Sequence, residues 1–151
     1  RVTSESLVGA VVVVAVTAVA SLIIGCRFVA DKPRNLSPDD LAVMLELVKN
    51  DKIEWDGDVG GLLPLPSDRL IRALESHGDS WIPILMVLLE DRERFGAAHV
   101  AITVLTDADR TRNSTHWNGL HVELNADGSA TYDPDDIPTL VKYWKKLQPG
   151  R

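Results

Sequence analysis

A chain of 151 residues with a strongly apolar N-terminal block has length left for one soluble domain with a modest core. Arg1 and Glu5 are the only charged residues before Arg27, so everything after the block carries the whole formal charge of −6. The arginines fall in scattered pairs, such as Arg69 with Arg72 and Arg92 with Arg94, and form no basic stripe, which excludes nucleic acid as a partner; Cys26, the single cysteine, excludes an internal disulfide, a CxxC redox pair and a thiolate zinc cage.

After a short tail over residues 1–6 comes "LVGAVVVVAVTAVASLIIG", nineteen residues without a charge. As a helix this run rises about 28 Å, close to one hydrocarbon core, and it lacks the polar stripe of a soluble core helix. Residues 7–26 therefore read as a transmembrane helix or signal anchor. That reading predicts a single-pass protein of a bacterial cell membrane.

The stretch Ile23 to Cys26 resembles a bacterial lipobox, in which the cysteine is acylated and becomes the new N-terminus. Cys26 is thus a candidate lipidation residue, although Ile23 stands where leucine is usual and the run is longer than a typical cleaved segment. The length favours a retained anchor. Arg27, Lys32 and Arg34 would hold the following domain in the cytoplasm by the positive-inside tendency, whereas lipoprotein processing would place it outside, so the side of the membrane stays open.

Residues 27–36 read as a juxtamembrane linker broken by Pro33 and Asn35. A helix then starts with Ser37 as N-cap, Pro38 in the first turn and Asp39 and Asp40 at the positive end of the dipole. Leu41, Met44, Leu45 and Val48 follow at spacings of three and four, on one face. The stretch from Asp56 to Pro66, with three glycines and two prolines, reads as loop. Ser67 caps a further helix whose stripe is Leu70, Ile71 and Leu74 and whose stop is Gly78.

Next, Ser80 can cap a helix running to Glu90, and Asp91 begins a second one ending at Leu105. The small residues Gly96, Ala97, Ala98 and Ala101 let these two helices approach closely as an αα-hairpin. Pro83, Asp91, Phe95, Ala97 and Ala98 give the stretch from Trp81 to Leu105 its likeness to one HEAT-type (armadillo-like) helical repeat. Gly96 departs from that pattern, standing where such repeats usually place an arginine. The resemblance implies a helix-stacking, protein-binding surface, and one unit predicts a compact domain rather than an extended solenoid.

The remainder changes character. Leu120, Val122 and Leu124 alternate with polar residues, Asn125 to Gly128 is a turn, and Ser129 to Tyr132 completes a small β-hairpin. A final helix has acids at its start, lysines at its end, and Leu140, Val141, Trp144 and Leu147 on its inner face, with Trp144 as the anchor. The expected fold is mainly α: a transmembrane helix, then a helical domain over 37–151, with helical hairpins over 37–109 and the β-hairpin plus last helix over 116–151.

Signatures of chemistry are sparse. His116 and His121, in "HWNGLH", are five residues apart across Asn118 and Gly119, a spacing that does not stack two imidazoles on one helix face, and no carboxylate motif completes a zinc site. His99 falls on the inner or flanking face of its helix and reads as a packed or semi-exposed core histidine rather than a catalytic base. The expectation is a membrane-tethered acidic domain that binds another protein without catalysis, with no metal, no cofactor and no small-molecule ligand. A lipoprotein acylated at Cys26 with an envelope-structural role is a second reading. A hydrolase built on His99, His116 or His121 is a third, which needs a cleft joining at least two of them.

Overall fold

The computed structural model describes residues 36–108 and 111–147. The first helix, α1 (Pro38–Leu47), starts as its sequence demands. Ser37 Oγ accepts from the Asp40 N–H at 3.1 Å and the Asp40 carboxylate accepts from the Ser37 N–H, a reciprocal capping box. The Ser37 hydroxyl, which also donates to the Asp40 carboxylate at 2.7 Å, and then the Ser37 N–H hold that carboxyl below its ordinary range. Leu41, Met44 and Val48 go into the core.

A 3-10 turn (Asn50–Lys52) leads into an antiparallel hairpin, β1 (Glu54–Asp58) and β2 (Gly61–Leu65), where the sequence reading placed a loop. The two prolines and three glycines do not prevent it. Leu62 donates its N–H away from β1, to Asn113 O at 2.9 Å. By the period of two, the nitrogen of Pro64 faces that same side, so β1 asks it for no hydrogen bond. Gly61 has φ +108, and a Cβ there would lie 2.7 Å from the backbone of Asn113, so the close approach of the two chain segments requires glycine.

Helix α2 (Asp68–His77) is capped by Ser67 and ended by Gly78 at φ +52. Ser80, expected as an N-cap, lies instead in a 3-10 turn (Gly78–Trp81), and α3 (Ile82–Leu88) follows directly. Asp91, expected to open the next helix, shapes the turn before it: its Oδ1 accepts from Glu93 N–H and its Oδ2 pairs with Arg94 at 2.6 Å. Helix α4 therefore begins at Phe95 and runs to Thr106. It has no side-chain cap of its own. Asn50, 46 residues earlier, supplies one, its Oδ1 accepting from the N–H groups of Gly96 at 2.9 Å and Ala97 at 3.2 Å.

Nine consecutive residues of α4, Phe95 to Thr103, are buried, which makes it the axis of the core. The second sheet has three antiparallel strands, β3 (His116–Trp117), β4 (Leu120–Leu124) and β5 (Ala130–Tyr132). The segment around Arg112 bridges to Trp117 and, through Asn113, to β2, and so links the two sheets. The last helix, α5 (Ile137–Leu147), follows a 3-10 turn (Pro134–Asp136). It buries Leu140 and Trp144, leaves Val141 half-buried, and exposes Leu147 by 51%.

Two expectations are thereby corrected. The fold is not mainly α: the stretch from Ser37 to His77 is a helix, a β-hairpin and a helix rather than a helical hairpin, and two antiparallel sheets share the core with the helices. The single-pass membrane localisation is not supported either, because no helix among the described residues is long and apolar enough to cross a membrane. Residues 7–26 and Cys26, on which the anchor and lipidation expectations rested, lie outside the described residues.

Candidate functional site

The histidines singled out in the sequence fall in two places separated by Trp117. The inner place is built on His99, which is fully buried. Its Nδ1 accepts from Trp144 Nε1–H at 2.8 Å, so its proton is on Nε2, which donates to Asn118 O at 3.0 Å. Asn118 Nδ2 reaches Thr103 Oγ1 at 3.3 Å, and Thr103 in turn donates to His99 O at 2.8 Å. Burial holds the imidazole pKa down to about 4 against an ordinary 6.5, outweighing the hydrogen bonds that favour the charged form. One neutral ring thus ties α4, the β3–β4 turn and α5 together. With both nitrogens engaged and no exposure, it is a structural joint, as the sequence reading of a packed histidine had it.

The outer place is the β3–β4 hairpin. Asn118 (φ 51) and Gly119 (φ 86) both adopt left-handed backbone, the two-residue turn that Asn-Gly favours. The turn sets His116 opposite His121. Their backbone groups bond outward, His116 O to Asn113 N–H at 2.8 Å and His121 N–H to Asp136 Oδ2 at 2.6 Å, which marks a non-hydrogen-bonded cross-strand pair with its side chains close. The rings stack, 4.7 Å between centroids and 14° between planes. The helix-face argument against this pair therefore does not apply to it, because the residues sit on a hairpin. A cavity of about 530 Å³ opens beside it, lined by Ser114, Thr115, His121, Val122, Glu123 and Leu124. Thr115 Oγ1 lies 2.8 Å from His116 Nδ1. Among the described residues, no group of three or more His, Cys, Asp or Glu side chains is placed to hold a metal ion.

A third surface was missed entirely. In the β1–β2 hairpin, the inward face presents Trp55, Gly57, Leu62 and Pro64. Trp55 donates to Tyr132 Oη at 2.8 Å and meets Trp117 edge to face at 5.9 Å. The outward face carries an acidic row on β1, Glu54, Asp56 and Asp58, registered beside Leu63 and Leu65 on β2. Leu65 is 45% exposed, and Val59 at the tip is wholly exposed. Among the described residues, Asp58 alone of the three has a basic side chain in ion-pair range, Arg112 at 3.4 Å. The alternation of Glu54, Asp56 and Asp58 with Trp55 and Gly57 was the available signal.

Compared with known proteins, the chain matches no family model, no curated protein and no solved structure.

Proposed function

We propose that this domain is a protein-interaction module without catalytic chemistry of its own, and that its contact surface is the outward face of the β1–β2 hairpin. The observation that carries the reading is the pairing of an acidic row, Glu54, Asp56 and Asp58, with exposed aliphatic side chains at Leu65 and Val59. Leu63 stands between them in register, half-buried but outside the core cluster. A wholly exposed valine at a hairpin tip contributes nothing to folding, and desolvating it on a partner is favourable. The acidic row selects for a partner segment that carries lysine or arginine beside apolar side chains. The αα-hairpin that resembles a HEAT unit is a weaker choice of surface, because its second helix, α4, is buried along Phe95 to Thr103.

A photo-crosslinking amino acid placed at position 59 in cells tests this reading. A discrete partner adduct is expected, lost when Leu63 and Leu65 are both changed to Glu and weakened by Asp56→Lys at unchanged thermal stability. No discrete adduct, or one indifferent to all three substitutions, would overturn it.

A further inference from the structure

We propose that His116 and His121 form a chelating site for a divalent transition-metal ion such as Zn²⁺, two imidazoles from one hairpin with the remaining coordination positions left to water. The backbone frame is rigid. The Asn118-Gly119 turn fixes the register, Asn113 takes both the N–H and the C=O of His116, and Asp136 takes the N–H of His121. On such a frame the entropy of bringing two ligands together has already been lost in folding. The rings lie 4.7 Å apart in nearly parallel planes, so their in-plane lone pairs run side by side; with His116 held by Thr115, His121 must turn out of the stack about its broad terminal torsion to aim a nitrogen at the ion that His116 Nε2 addresses.

The surroundings of His116 have the form of a metal site's supporting shell. Thr115 Oγ1 is 2.8 Å from His116 Nδ1 and 3.3 Å from Asn113 Oδ1. With the hydroxyl donating to the Asn113 amide oxygen, it accepts from Nδ1–H and leaves Nε2 of His116 unprotonated, the tautomer a metal requires. Imidazole nitrogen suits zinc, copper and nickel, whereas calcium and magnesium take oxygen ligands. The adjoining cavity leaves room for the ion's waters. Two protein ligands rather than three or four make this an open site, in which a third ligand can come from outside the chain.

The site is tested by calorimetric titration of Zn²⁺ into the untagged, chelator-stripped 151-residue chain carrying Cys26→Ser, which removes the thiol as a competitor. One equivalent of Zn²⁺ is expected. His116→Gln and His121→Gln should each weaken binding at least about tenfold, the two together no further than either alone, and Thr115→Val should weaken it by a smaller factor. His77, which lies 3.5 Å from Asp40 on the far helices, is the control, and His77→Gln should leave the titration unchanged. Zn²⁺ should also raise the thermal midpoint of the parent and of neither hairpin variant. Absence of Zn²⁺ binding, undiminished binding in either single hairpin variant, or its loss in His77→Gln would each overturn the proposal.

Discussion

Acidification should weaken this fold through one ring. His99 is neutral in the folded protein, with its pKa held down by burial to about 4, whereas in the unfolded chain it returns to about 6.5. The unfolded state therefore binds the proton first as pH falls, so stability is full above about 6.5 and declines below it, levelling off beneath about pH 4. Two and a half pKa units correspond to about 3 kcal/mol in total, of which about 2 kcal/mol is already gone at pH 5. The structural cause is specific: a proton on Nδ1 would face the Trp144 indole N–H that now donates to it. Urea unfolding at pH 7 and at pH 5, for the parent and for His99→Gln, separates this ring from the surface carboxylates. The variant should be less stable at pH 7 by about 1–3 kcal/mol, because the buried Trp144 N–H loses its acceptor, but it should lack the parent's extra loss at pH 5. Parallel losses in the two proteins would refute the argument.

Asn50→Ala removes the side chain that caps α4 from a distance and should cost about 1–2 kcal/mol in chemical denaturation, with no loss for Asp51→Ala beside it. Gly96→Ala places a Cβ 2.8 Å from the Tyr132 ring and 3.1 Å from Asn50 Oδ1, so overpacking should destabilise by about 1–3 kcal/mol, despite alanine's better helix propensity. Trp144→Phe should destabilise more than Trp117→Phe when the two thermal midpoints are compared. The first strands His99 Nδ1, whereas the second removes an indole N–H that is buried without a partner.

What could be read ahead of the structure was what neighbours in sequence decide. Ser37 and Ser67 cap the helices they precede, and the stripes of α1 and α2 bury Leu41, Met44, Leu70 and Leu74. The Leu120–Leu124 hairpin was legible by its alternation. The hairpin from Glu54 to Leu65 was hidden because glycine and proline speak for loops locally, and whether Pro64 needs its missing N–H depends on which edge of β2 faces β1 and which faces the segment around Asn113, nearly fifty residues on. Where α4 begins depends likewise on Asn50 and not on anything at residues 91–95. The histidine pair was judged against a helix face, although Asn118-Gly119 between them is a strong hairpin signal. His99 was rightly placed in the core, but its partners Trp144 and Asn118 come from elements 45 and 19 residues away, which no local spacing announces.

The long reach of these contacts bears on how the chain is made. Trp55 bonds Tyr132 across 77 residues, and Tyr132 donates to Asn50 O across 82. When synthesis has passed α4 but not yet reached Trp117 and Trp144, the most apolar helix of the domain has none of its C-terminal cover. Such a nascent chain leaves uncovered the face of α4 that Trp117, Tyr132 and Trp144 meet until the roughly forty residues from Asp107 to Leu147 have emerged, some seconds at ordinary elongation rates of about 5–20 residues per second. The packing of α4 is therefore completed only once α5 has emerged, and until then that face relies on whatever shields hydrophobic segments at the ribosome.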